Sequence, residues 1–189
     1  MYIDFKDGLP EDGFFYCYSL QSKSEGVFIR EEDCIRNEYK ENIRDYEYTT
    51  AMLKERITVG DSVTVECSFE KRGAPLLVIS DEIFMRGKTP YYGTHFEAVA
   101  FEEGLNVWYN RPSPDGSAEP LIIEKLHHES IPTPNHSRVI LTIELGESSI
   151  KCVMNGVEVI VSHPDIPRTC YLGITGCEGI NRFYSLRRE

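Results

Sequence analysis

The chain has 189 residues, with 31 acidic against 20 basic side chains and a formal net charge of −11. That length fits one domain, spanning residues 1–189, that buries a core without a metal or disulfide staple. The acidic balance argues against a nucleic-acid or anionic-membrane partner, because phosphate contacts need clustered Lys and Arg.

From the N-terminus, MYIDFKDGLPEDG has neither the basic start nor the apolar core of a secretory signal, so a cytoplasmic setting is expected. Phe14–Tyr18 reads as a short aromatic strand. Over Glu31–Tyr48, Ile35, Tyr39, Ile43 and Tyr46 are spaced 4, 4 and 3 apart. This fits one helical stripe; a charged loop with a short strand fits equally. Tyr46–Ile57 reads as a strand closed by the turn Val59-Gly60-Asp61. Ser62–Phe69 alternates cleanly, with Val63, Val65, Cys67 and Phe69 on one face. Lys71-Arg72-Gly73 turns the chain into a strand over Ala74–Phe84, whose Ala74–Ile79 part is the densest apolar run and too short to span a membrane. A hairpin follows over His95–Asn110, then a loop over Arg111–Gly116 marked by its prolines and glycine. Strands are expected over Pro120–Leu126, Arg138–Leu145, Ile150–Met154, Val157–Val161, Tyr171–Thr175 and Arg182–Leu186. Asn155-Gly156 is the strongest hairpin signal in the chain. Short strands throughout and at most one helix predict an all-β, antiparallel sandwich or barrel.

The His95–Asn110 hairpin, HFEAVAFEEGLNVWYN, carries the candidate site. With Glu103-Gly104 as its turn, Glu102 pairs with Leu105, Val99 with Trp108 and Glu97 with Asn110. Alternation then puts Phe96, Ala98, Ala100, Leu105, Val107 and Tyr109 on a face that must be buried. The opposite face carries His95, Glu97, Val99, Phe101, Asn106, Trp108 and Asn110. A carboxylate, an imidazole, two amides and the only tryptophan among apolar neighbours suit a sugar ring, which has apolar C–H faces and hydroxyl edges. Trp108 is the expected stacking platform. Glu97 and His95, two apart on one face, serve as base and orienter or as hydrogen-bond partners to hydroxyls. Asn106 and Asn110 flank Trp108 and both donate and accept. Glu178 and Asn181, in the glycine-bearing turn Gly176–Arg182, reach toward a cleft edge.

The six cysteines, Cys17, Cys34, Cys67, Cys152, Cys170 and Cys177, form no C-x-x-C pair and are expected as free thiols. His127 and His128 are adjacent and point to opposite strand faces, so no metal site is expected there or elsewhere. A serine nucleophile elbow, a phosphate-binding glycine loop and a dinucleotide fingerprint are absent, and no cofactor is expected.

Two segments resemble the concanavalin A-like jelly roll of lectins and glucanases. YTTAMLKERITVGDSVTVECSFEKRGAPLLVIS, Tyr48 to Ser80, resembles the laminarinase and lichenase type, where a Tyr-Thr-Ser strand leads to a Gly-turned strand and a Pro-containing strand over the cleft. Val139–Val161 resembles the Asn-Gly or Asp-Gly hairpin of laminin G-like and lectin sandwiches. The resemblance implies a jelly-roll sandwich with a concave cleft that binds or processes a glycan or oligosaccharide. Those glucanases carry the motif E-x-D-x-x-E, with the first Glu as nucleophile and the last as acid/base. Here Glu97 and Glu102 match its glutamates, and Val99 stands in place of its aspartate. Retaining hydrolysis needs two carboxyls roughly 5–5.5 Å apart, and plain alternation points Glu102 away from Glu97. Glu97 is therefore the one catalytic candidate, with Glu66, Asp81, Glu82 and Glu178 as potential second carboxyls. Weak or no endo-glucanase activity is expected. A glycoside hydrolase and a protein-interaction domain stand as alternative readings beside a lectin-like module.

Overall fold

Strands dominate because β-branched and aromatic residues recur at period two between turn-forming residues. The computed structural model describes residues 1–20, 22, 25–39, 48–113 and 122–189. In chain order the strands are β1 (Tyr2–Asp4), β2 (Phe14–Tyr16), β3 (Tyr18–Ser19), β4 (Phe28–Arg30), β5 (Ile35–Asn37), β6 (Thr49–Leu53), β7 (Ile57–Thr58), β8 (Ser62–Glu70), β9 (Ala74–Ser80) and β10 (Ile83–Arg86). They continue as β11 (Thr89–Tyr92), β12 (His95–Phe101), β13 (Gly104–Arg111), β14 (Ile122–Ser130), β15 (Val139–Leu145), β16 (Ser149–Met154), β17 (Val157–Ser162), β18 (Thr169–Cys177) and β19 (Ile180–Arg188).

Two antiparallel sheets face each other. The first runs β17-β16-β15-β8-β19-β5-β4, with β1 added on β19. The second runs β14-β13-β12-β9-β18-β6-β2, with β7 added on β18. Between them lies the core, where Val63, Val65, Cys67 and Phe69 of β8 share one buried cluster with Phe96, Ala98 and Ala100 of β12. The alternation in both strands selected these inward faces. The chain crosses between the two large sheets at β1 to β2, β5 to β6, β7 to β8, β8 to β9, β14 to β15, β17 to β18 and β18 to β19, which makes this a sandwich of jelly-roll type. Both ends of the chain meet at β19: Tyr2 pairs with Arg187, and the Met1 amino group donates to the Arg188 carbonyl at 2.9 Å.

A third, smaller sheet, β10-β11-β3, was not anticipated. The expected strand Ala74–Phe84 stops at Ser80, and Asp81-Glu82 redirects the chain into β10. The expected strand Phe14–Tyr18 breaks at Cys17, whose backbone N–H donates to the Thr50 carbonyl at 3.1 Å. Of the helical-stripe residues, Ile35 sits in a strand, pairing with Phe183, while Ile43 and Tyr46 lie outside the described residues. The described residues contain no α-helix, and so none long and apolar enough to cross a membrane.

Asn155-Gly156 forms the expected tight turn, both residues with positive φ. Between β8 and β9 the same left-handed pair is made by two residues with side chains, Lys71 (φ 53°) and Arg72 (φ 65°). All six thiols are free and buried.

Candidate functional site

The β12–β13 hairpin keeps the predicted faces in a different register. Phe101 pairs with Gly104, so the turn is Glu102-Glu103, Glu97 lies opposite Trp108, and His95 lies opposite Asn110. The expected pairs Glu97–Asn110 and Val99–Trp108 are displaced by two residues. A shift of two preserves the side of every side chain. Gly104 is needed for close approach: a Cβ there would sit 2.0 Å from the Glu129 carbonyl oxygen.

On the outer face of the second sheet the registers set side chains in rows. Trp108, Glu97, Val78, Gly173, Met52 and Phe15 form one row across β13, β12, β9, β18, β6 and β2. Asn106, Val99, Leu76, Thr175 and Thr50 form the next. Phe101 lies two residues beyond Val99, toward the hairpin turn, and Ala74 pairs with Cys177 two residues beyond Leu76. A cavity of about 290 Å³ opens at this end of the face. Glu97, Val99 and Leu76 are among its apolar and acidic inner residues, Tyr48 and Phe101 supply rings, and Asn106 supplies an amide. Its charged residues besides Glu97 are Arg72, Glu102 and Glu178.

Glu97 is the most constrained of these. It is 7% exposed and His95 is 3% exposed. The imidazole lies between two acceptors, with Nδ1 2.6 Å from the Gly93 carbonyl oxygen and Nε2 3.2 Å from Glu97 Oε1. A carbonyl only accepts, so Nδ1 is the donor to Gly93, while Nε2 faces the Glu97 carboxyl. Tyr92 stacks edge-on against His95, with centroids 4.8 Å apart. Burial pushes the Tyr92 hydroxyl well up, and the neighbouring Glu97 charge adds to it. Burial likewise pushes up the Tyr48 hydroxyl, aided by Cys177 and Glu97. The Cys177 thiol is raised first by burial and then by Glu97 and Glu178, so it stays protonated and is no nucleophile at neutral pH.

Of the sequence-predicted residues, Glu97, Asn106 and Glu178 come together on the cavity. His95 is buried beside Glu97, and Asn110 is buried opposite His95 with its Nδ2 unpaired. Trp108 does not border the cavity. It is half-buried against the apolar cluster of Tyr92, Met52 and Val99, and Lys125 Nζ sits 4.7 Å from its ring centroid. Asn181 is fully buried behind the cavity edge, its Nδ2 donating to the carbonyls of Cys177 (3.0 Å) and Glu178 (3.2 Å). Among the candidate second carboxyls, Glu66 faces outward from the first sheet and pairs with Arg138, and Glu82 accepts from the Thr94 N–H at the other end of β12. Glu178 shares the cavity, and so does Glu102, because it lies in the turn and escapes strand alternation. β12 pairs residue for residue from His95 to Phe101, so no bulge within the strand alters the alternation that Glu97 follows. Arg72, Tyr48 and Cys177 were missed as site residues; the signal for Arg72 was a tight turn without glycine at its centre. Among the described residues no group of three or more His, Cys, Asp or Glu side chains is placed to hold a metal ion.

Fold and topology define a concanavalin A-like jelly roll. Among solved structures, the chain is similar to the carbohydrate-binding module CBM66 from Bacillus subtilis, with TM-score 0.66 at 11% identity over 94% of this chain and 95% of that one. It is similar to the β-glucanase of Bacillus licheniformis, with TM-score 0.61 at 10% identity over 100% and 96% of the two chains. It is also similar to a legume lectin-like domain from Entamoeba histolytica, with TM-score 0.60 at 14% identity over 99% and 96%. No protein-family model and no curated protein matches the sequence.

Proposed function

We propose that the protein binds a glycan in the cavity around Glu97, as a lectin-like module rather than a hydrolase. The observation that carries this reading is the buried Glu97–His95 pair bordering a cavity that also holds the Phe101 ring and the Asn106 amide. A charge-assisted carboxylate is a strong acceptor for hydroxyls, an amide donates and accepts, and an aromatic face takes up apolar C–H surface. The stacking role moves from Trp108, whose ring Lys125 covers, to Phe101 and Tyr48. The fold's likeness to a carbohydrate-binding module, a lectin-like domain and a β-glucanase supports the same reading. Binding is favoured over hydrolysis because Val99 replaces the motif's acid, β12 lacks a bulge, and His95 already engages Glu97. The excess of carboxylates supports the absence of a nucleic-acid partner. Six reduced, buried thiols suit a cytoplasmic setting.

A glycan array followed by titration tests this. The protein should bind at least one oligosaccharide, and Phe101→Ala should weaken that binding several-fold, equivalent to about 1 kcal/mol. Glu97→Gln should also weaken it. Failure to bind any glycan overturns the reading. Robust hydrolysis of a β-glucan, lost in Glu97→Gln, would make the protein an enzyme working with Glu102 or Glu178.

A further inference from the structure

Three residues beside the cavity hold a backbone conformation that their types rarely adopt. Among the described residues, five other than glycine have a positive φ: Lys71, Arg72, His136, Asn155 and Glu178. Asn and His are types enriched there. The other three lie in two turns at the cavity end of the face, and Arg72 (φ 65°) and Glu178 (φ 55°) line the cavity itself. The β16–β17 turn, by contrast, fills its left-handed places with Asn155-Gly156, the pair that a tight hairpin prefers. β8 pairs with β19 and β9 with β18, so the β8–β9 and β18–β19 turns run side by side from one sheet to the other. They meet backbone to backbone. A Cβ on Gly73 would sit 2.4 Å from the Ile180 carbonyl oxygen, and one on Gly179 would sit 2.4 Å from the Gly73 nitrogen. In each turn the glycine is taken up by this contact, and the left-handed place falls to a residue with a side chain. Asn181 braces the second turn through the carbonyls of Cys177 and Glu178. Among the described residues, the exposed Arg72 guanidinium and Glu178 carboxylate make no hydrogen bond or ion pair.

Strained backbone persists where the surrounding structure holds it, and ligand clamps are among the places where it collects. From this geometry we infer that Arg72 and Glu178 are the specificity-determining pair of the cavity, kept in left-handed positions so that a guanidinium and a carboxylate reach the glycan from adjoining turns. The inference rests on the glycan-binding reading above. A guanidinium only donates and a carboxylate only accepts. Together they fit hydroxyls, which do both. Neither group has to give up an internal partner to bind. The interlocked turns fix the backbone under both side chains, so less ordering is left to be done on binding. Glycine at either position would relax the backbone and remove the contact.

The test uses the whole protein, a printed oligosaccharide array and titration with the strongest binder. Arg72→Gly and Glu178→Gly are compared with Arg72→Ala and Glu178→Ala. At each position both variants lose the side chain, and only glycine relaxes the backbone. Each Gly variant should therefore unfold at a higher urea midpoint than its Ala counterpart. All four should weaken glycan binding alike, by about tenfold for a lost charge-assisted hydrogen bond. Lys71→Gly relaxes the first turn without altering the cavity lining, and should leave affinity within a factor of about two. Among derivatives of the glycan that each lack one hydroxyl, one should bind the unaltered protein about tenfold more weakly and bind Glu178→Ala no more weakly than the parent glycan does. Unchanged affinity in the Gly variants overturns the assignment, because the side chains are then not read. Equal midpoints for Gly and Ala overturn it, because the turns then hold no strain. A loss in Lys71→Gly as large as in Arg72→Gly overturns it in favour of turn rigidity. Each of these leaves glycan binding intact. Absence of all glycan binding overturns the reading on which the inference stands, while the midpoints still report the strain.

Discussion

Asn37 and Asn181 lie 144 positions apart and fix the edge of the cavity together. Asn37 Oδ1 accepts from the Asn181 backbone N–H at 2.8 Å, and Asn37 Nδ2 donates to the Gly179 carbonyl at 3.1 Å. Both side chains are buried, and Asn181 in turn binds the carbonyls of Cys177 and Glu178. Asn37→Ala leaves a buried N–H and a buried carbonyl without partners, which costs about 1–3 kcal/mol. A denaturation midpoint should fall accordingly, and glycan affinity should weaken because Glu178 loses its support. A midpoint equal to that of the unaltered protein would show that the turn holds itself. The sequence marks Asn181 as a polar residue in a glycine-bearing turn, which reads equally well as a ligand contact. Its burial was not legible, because Asn37, whose side chain accepts its backbone N–H, lies on a distant strand. Glu97 and His95 were legible as a pair, since two residues on one strand face are neighbours whatever the register.

Among the elements, the hairpins separate two uses of glycine. Gly156 has φ +84° with nothing near its Cβ position, so it is there for backbone conformation alone. Gly156→Ala should cost about 1 kcal/mol. Gly104 has φ +148° and abuts the Glu129 carbonyl and the Ile131 N–H, so a methyl group there drives β14 off β13. Gly104→Ala should cost about 3 kcal/mol or more, and urea denaturation of the two variants measures the gap directly. Equal costs would mean that β14 yields without penalty. Reading Gly104 as the turn residue displaced the expected register, because a lone Gly signals either a turn or a close approach and the sequence does not say which. The core faces survived that error: Phe96, Ala98, Leu105 and Val107 are all buried as alternation requires. The break at Asp81-Glu82 was hidden by the apolar Ile83-Phe84 that follows it, and with it the small sheet whose Tyr92 packs in the outer-face cluster with Met52 and Val99.

At the scale of the whole molecule, the sandwich was legible because its strands carry period-two patterns, while the cover formed by β3, β10 and β11 was not, since pattern alone does not tell which buried aromatic folds back over a sheet. Burial also controls the thiols. It pushes Cys17, Cys152 and Cys170 up to about 12, and Cys34 to about 12 with help from Glu31. Their thiolate fractions at neutral pH are negligible, so the native protein should react slowly with a disulfide reagent and the denatured protein should release all six thiols at once. Fast labelling of a native thiol would reveal an opening of the sandwich on the reagent's timescale. The meeting of the two chain ends on β19 has a further consequence. β19 begins at Ile180, beside the cavity, and ends at Arg188, beside Met1. At about 3.4 Å per residue the strand spans roughly 30 Å. Anything joined at Met1 or Glu189 is therefore carried at the pole opposite the mouth. Tandem copies, a carrier domain or an immobilising tag can be added there, or the two ends linked and the chain reopened elsewhere, with the cavity left pointing away from the attachment.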